Sequence, residues 1–186
     1  MKIVARYSFC GGLELVTTNH STELREVTSA LQSVDAEQCR TKESKEKTMP
    51  GRLLYAPKVI NSAILAGFLY RPPYSWDTPA RKLPITYTIP GIGAKTVTFT
   101  TDGVKNGVAL EIQLGKYAFV EYDICAKLPT YKKFGRIECA IELLPMNSFS
   151  RQMSTGPGWF ERTATILENR GYGNLDVPVL LLGIDR

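Results

Sequence analysis

Histidine is almost absent from the chain: His20 is the only one in 186 residues. A Ser-His-Asp or Cys-His arrangement would have to be built on that single residue, and a multi-histidine metal site is excluded. His20 itself reads as a surface or capping residue without a chemical role. Cysteine is sparse as well. Cys10, Cys39, Cys125 and Cys139 form no C-x-x-C pair and sit near no run of histidines, so the common zinc patterns do not apply. Cys125 and Cys139 fall within strand-like runs and are expected to be buried free thiols in a reducing cytoplasm. Long apolar runs are missing too. No window approaches the roughly 18 residues of a membrane span, and the opening MKIVARYSFCGG is broken by Arg6 before it could serve as a secretory leader. The expectation is a cytoplasmic chain with no membrane partner. No internal repeat is visible.

The composition is that of a folded protein: 44% of residues are hydrophobic and 22% charged, which argues against global disorder. A chain of this length can bury a sizeable core and is expected to form one domain over residues 1–186. The net charge of +5 gives a mild bias toward an anionic partner and settles nothing alone.

Hydrophobic periodicity organises the rest. Residues 2–9 and 13–17 read as two short strands around a turn at Gly11-Gly12. In NHSTELREVTSALQSVD, Leu24, Val27, Leu31 and Val34 have helical spacing, with Ser21 or Thr22 as the N-cap. The charged run DAEQCRTKESKEKTMPG reads first as a solvated loop. It also gathers Arg40, Lys42, Lys45 and Lys47 into an arm able to neutralise phosphates. Pro57 opens a second helix to residue 68, harmlessly placed at its first position. RPPYSWDTPARKLP is irregular. Strands are expected at 85–89, 95–100, 108–114 and 117–126, followed by an alternating run with Ile137, Cys139, Ile141 and Leu143 on one face. NSFSRQMSTGPG reads as a polar loop, FERTATILENRG as a helix ending at Gly171, and VPVLLLGID as a buried last strand. The pattern predicts an α/β fold, a mixed central sheet flanked by helices.

The segment TDGVKNGVALEIQLGKYAFVEYD carries the chemistry. Val108, Leu110, Ile112 and Leu114 point to one face, and Ala109, Glu111 and Gln113 to the other. Asp102 stands at the turn of the hairpin whose second strand holds Glu111, so folding back brings the two carboxylates together. With the Ile112 carbonyl they suit a hard cation such as Mg²⁺. An ion held there can bind a phosphodiester oxygen and acidify an attacking water. Asp followed by Glu-x-Lys or Glu-x-Gln on a strand is the PD-(D/E)XK nuclease motif in outline. The spacing alone is a weak signal, since a polar strand face beside a turn aspartate gives the same pattern.

Three separated blocks add to it: DAEQCRTKESKEKT, EIQLGKYAFVEYD, and IELLPM followed by SRQMSTG. In this order they resemble the BstYI- and BglII-like type II restriction endonucleases, from about residue 34 to the C-terminus, with a poor match over 70–95. The resemblance implies a restriction-endonuclease-like core in a homodimer. Such an enzyme would cut double-stranded DNA with Mg²⁺ at a palindrome with a GATC core, RGATCY being the expected site, and leave four-base 5′ overhangs. A cognate DNA methyltransferase acting on the same site is the partner it implies. It places Asp102 and Glu111 at the metal-binding carboxylates, and Gln113 where most PD-(D/E)XK enzymes carry lysine and BglII-like enzymes glutamine. Lys116 becomes a DNA contact, and Arg151, Ser154 and Thr155 fall in the loop that reads bases, with Thr155 where closely similar enzymes have serine. The helices at 21–34 and 57–68 are candidates for the dimer interface. Two rival readings stand beside this one: a structure-selective repair nuclease or resolvase with the same core, and a DNA-binding protein without catalysis.

Overall fold

The computed structural model describes residues 1–47, 49–115, 118–153 and 156–186. Strand β1 (Lys2–Phe9) leads through the left-handed Gly11 into helix α1 (Gly12–Asn19), and α2 (Ser21–Ser33) follows at once. Residues 13–17 are therefore helical, where the sequence suggested a strand. Gly12 is the reason. A side chain there would meet the backbone of Val179 at 2.2 Å, so the missing Cβ lets α1 lie directly on the sheet. The N-cap of α2 is His20, whose side chain makes no capping bond. His20 is also buried rather than on the surface, with its ring 3.6 Å from Glu138.

The charged run condenses into a short 3₁₀ turn at Glu37–Cys39 and a small ribbon of β2 (Lys42–Glu43) and β3 (Leu53–Leu54). Helix α3 (Pro57–Ile64) has Pro57 in its first turn and continues as a wider π turn over Leu65–Leu69. The irregular stretch after it is pinned by Trp76, fully buried, with its indole N–H donating to Glu26 at 2.8 Å. Strands β4 (Lys82–Ile89) and β5 (Gly93–Thr100) form a separate, mostly exposed hairpin. Then come β6 (Gly103–Lys105) and β7 (Val108–Ile112), followed by α4 (Ala118–Tyr122), a π turn at Asp123–Lys127 and α5 (Leu128–Lys133). The strand expected at 117–126 is thus helical from Ala118 onward. Cys125 lies on that helical run and is exposed, while Cys139 is buried as expected. The chain closes with β8 (Cys139–Pro145), the one-turn helix α6 (Asn147–Ser150) inside the expected loop, α7 (Phe160–Arg170) and β9 (Val179–Asp185).

The main sheet runs β1-β9-β8-β7-β6. Its central strands β7, β8 and β9 are parallel, and β1 and β6 are antiparallel to their neighbours. Helices cover both faces, as a parallel sheet requires. On one face Val108, Leu110, Ile112, Ile141 and Leu143 pack with Val16, Val27, Leu31, Ile60 and Ile64 of α1, α2 and α3. On the other, Ala109, Ala140, Leu144 and Leu181 pack with Val120, Ile124, Leu128 and Leu167. Glu111 and Glu142 share this second face, because alternation along β7 and β8 sets them beside Ala109, Ala140 and Leu144.

Candidate active site

The β6–β7 hairpin is tight, with Gly103 paired to Leu110 and Lys105 to Val108. Asp102 therefore lies opposite the C-terminal end of β7. Its Oδ2 accepts a hydrogen bond from the Ile112 amide at 2.8 Å, so the turn aspartate reaches the strand end as the sequence predicts. Glu111 precedes that amide and is 2% exposed. The Ile112 carbonyl accepts from Asn61 Nδ2 at 3.3 Å, which brings α3 to the same place. Gln113 follows, half-buried, and its side-chain amide donates to Asp123. The four groups expected from the alternating run thus meet at one end of β7.

Three further side chains converge here from beyond that run. Lys127 Nζ lies 2.7 Å from Glu111 Oε1 and 2.5 Å from Asp123 Oδ1. Both Asp123 and Lys127 belong to the π turn, and such widened turns recur at functional sites because they redirect side chains. Glu142, in register with Glu111 across β7 and β8, is fully buried, and neither carboxylate oxygen has a hydrogen-bond partner among the described residues. The helical spacing of Val120, Ile124 and Leu128 was the signal that would have placed Asp123 and Lys127. For Glu142 the signal was its alternation with Ile141 and Leu143, but only the parallel register puts it beside Glu111. A cleft of about 280 Å³ opens onto this cluster, bounded by Thr98 and Phe99 of β5, Phe119 and Tyr122 of α4, and Gln113, Asp123 and Lys127.

Electrostatics follow from burial. Desolvation pushes the carboxyls of Asp102, Glu111, Asp123 and Glu142 above their ordinary range. Lys127 opposes the shift in all four, as do the Ile112 amide at Asp102 and the Gln113 amide at Asp123. Lys127 is in turn held above its usual value by Glu111 and Asp123, although burial works against it. One ammonium therefore faces four carboxyl groups. Among the described residues no three acidic, histidine or cysteine side chains are arranged to hold a metal ion outright. The donor set nevertheless fits a hard divalent ion. It offers carboxylate and carbonyl oxygens at one strand end, and the Glu142 oxygens have no hydrogen-bond partner among the described residues.

A stability prediction follows from Glu142. A carboxyl raised by burial binds its proton more tightly in the folded chain than in the unfolded one. Its contribution is whole below the ordinary value of 4.5 and is lost as pH rises toward the folded value. Unfolding free energy in a chelator should therefore fall with rising pH above 4.5. Glu142→Gln, neutral at every pH, should flatten that fall by about 1.4 kcal/mol per pH unit within the window. Urea titrations of both proteins between pH 4.5 and 8 measure it, and parallel curves would contradict it.

Of the sequence-predicted DNA-contacting residues, Arg40, Lys42 and Arg151 lie elsewhere. Lys42 Nζ reaches the Met153 carbonyl at 3.4 Å, and the Tyr55 amide donates to the Gln152 carbonyl at 2.9 Å. The β2–β3 ribbon thereby lies against the segment carrying exposed Arg151. The Arg40 guanidinium stacks 5.0 Å above the Tyr55 ring. Lys116, Ser154 and Thr155 lie outside the described residues.

Comparison with known proteins places this arrangement. The family model for restriction endonuclease BglII/BglIII matches residues 4–184. Among solved structures, that of BglII complexed with a DNA 16-mer superposes with a TM-score of 0.76 at 19% identity, covering 100% of this chain and 79% of that one. Free BglII gives 0.59 at 17% identity, covering 100% and 80%. At these identities the likeness is one of fold. No curated protein matches the chain. No helix among the described residues is long and apolar enough to cross a membrane. The match over nearly the whole length settles the assignment: the chain belongs to the BglII/BglIII restriction endonuclease family and is a type II site-specific deoxyribonuclease.

Proposed function

We propose that the chain, working as one nuclease domain over residues 1–186, hydrolyses double-stranded DNA at a palindrome with a GATC core. RGATCY is the site we expect, cut to leave 5′ overhangs, by a homodimer whose two-fold symmetry mirrors that of the site. The observation that carries the reading is the meeting of Asp102, Glu111 and Gln113 at the end of β7 beside an open cleft. Asp102, Glu111 and the Ile112 carbonyl would hold Mg²⁺. Bound there, Mg²⁺ supplies a Lewis acid that binds a phosphate oxygen, acidifies the attacking water and offsets charge on the leaving group.

The chain's own residues do the rest. Asp102 anchors the end of β7 through the Ile112 amide, while Asn61 and the bond from the Gln113 amide to Leu143 fix the direction of the Ile112 carbonyl. Gln113 cannot take a proton at neutral pH, so it acts by orientation. Its amide N–H is held by Asp123, which leaves the amide oxygen free to accept from a water in the cleft. Arg40, Lys42 and Lys116 contact phosphates. Arg151, Ser154 and Thr155 supply the donors and acceptors that read base edges in the major groove. A DNA methyltransferase of the same specificity is the partner such an activity requires, because the GATC core would otherwise be cut in the cell's own DNA.

The experiment is digestion of a supercoiled plasmid. Discrete linear fragments are expected in Mg²⁺ and none in EDTA. A smear of nonspecific products, or equal cutting in EDTA, would overturn the reading.

A further inference from the structure

We infer that Lys127 is a resident cation of this site: its ammonium stands beside Glu111 where a divalent ion would bind, and the ion must displace it. The inference deepens the proposal above and rests on its assignment of Asp102 and Glu111 as the metal-holding carboxylates. The geometry carries it. Lys127 Nζ contacts Glu111 Oε1 at 2.7 Å and Asp123 Oδ1 at 2.5 Å, and the residue is only 8% exposed. The one carboxylate of β7 that could hold an ion is thereby already paired.

Position 113, on the strand, carries an uncharged amide. The ammonium arrives instead from the π turn packed over that face of the sheet, where Asp123 holds both the Gln113 amide and Lys127. Glu142, in register with Glu111 on the next strand, has no partner for either oxygen among the described residues, so Lys127 is spent on the carboxylate at the proposed ion position and not on its buried neighbour. Lys127 is also held twice. When Glu111 is surrendered to an ion, Asp123 keeps the ammonium, so release does not strand a buried charge. A dication beside Glu111 and the Lys127 ammonium repel each other, so the lysine lowers the affinity of the ion-free protein for metal.

The test is a calorimetric titration of Mn²⁺ into the full chain without DNA, with melting temperatures recorded in EDTA and in saturating Mn²⁺. Lys127→Met and Lys127→Gln are compared with wild type, and Glu111→Ala serves as control. Both lysine variants should bind Mn²⁺ roughly tenfold more tightly than wild type, because a competing charge has been removed. They should melt lower in EDTA and recover in Mn²⁺. Equal or weaker binding by both would overturn the inference while leaving the metal site standing. So would variants that stay unfolded in saturating Mn²⁺, since Lys127 would then be a structural post no ion can replace. If Glu111→Ala bound as wild type does, or wild type bound no Mn²⁺, the assignment of the carboxylates would fall, and the inference with it.

Discussion

Asp102→Ala and Glu111→Ala should each slow DNA cleavage by roughly a thousandfold or more, as expected when an oxygen ligand to a Lewis acid worth several kcal/mol is lost. Specific binding in Ca²⁺ should change only a few-fold, because neither side chain lies in the segment proposed to read bases. The two positions do different things, and their conservative variants should separate them. Asp102 accepts from the Ile112 amide. Asp102→Asn keeps an acceptor there and removes only the charge, so a loss equal to that of the alanine variant would assign the effect to metal binding. Glu111→Ala also takes a partner from Lys127, which keeps Asp123. Glu111→Gln avoids the cavity, and its rate should be as low. Single-turnover rates on a duplex, with binding measured in Ca²⁺, are the check. A near wild-type rate in either alanine variant would remove that residue from the site.

The second large effect concerns sequence. Each core base pair read by a bidentate or paired contact contributes about 1–3 kcal/mol of discrimination. One substitution within GATC should therefore lower kcat/KM by roughly a hundredfold. Under the proposed RGATCY specificity, the outer position would obey a looser rule. A purine can be accepted through N7, which guanine and adenine share, by one hydroxyl donor, and Ser154 or Thr155 could supply it. Thr155 adds a methyl group, which could narrow RGATCY to AGATCT or GGATCC. Thr155→Ala should then change the ratio of rates on AGATCT and GGATCC more than it changes cutting of the core. An unaltered ratio would take the loop out of outer-base reading.

The parts of the fold that were legible in the sequence are those where side-chain periodicity coincides with burial. The alternation of Val108 to Leu114 survives, since Val108, Leu110, Ile112 and Leu114 fill one core while Ala109 packs in the other and Glu111 and Gln113 turn to the site. Helices α2 and α7 likewise follow their apolar spacing. Two segments misled for physical reasons. Residues 13–17 alternate as a strand would, but the close approach of Gly12 to Val179 is a tertiary fact that no local pattern contains. The segment around Tyr117 to Ala126 is rich in aromatic and β-branched residues, which favours strand on propensity. Its deeper signal is Val120, Ile124 and Leu128 at intervals of four, all buried on the sheet. Reading it as a strand hid Asp123 and Lys127, two of the six side chains in the polar cluster. Glu142 was hidden differently, because its partnership with Glu111 exists only through the parallel register of β7 and β8. Asp102 and Glu111 were accessible because a short hairpin closes the distance between them.

The most direct test of the central claim is to digest a sequenced plasmid with the wild-type protein in Mg²⁺ and to sequence every end produced. The account predicts ends that all map to six-base palindromes with GATC at the centre and carry four-base 5′ overhangs, and it predicts no such ends from Glu111→Ala. Ends that share no GATC core, or the same ends from the Glu111 variant, would contradict it.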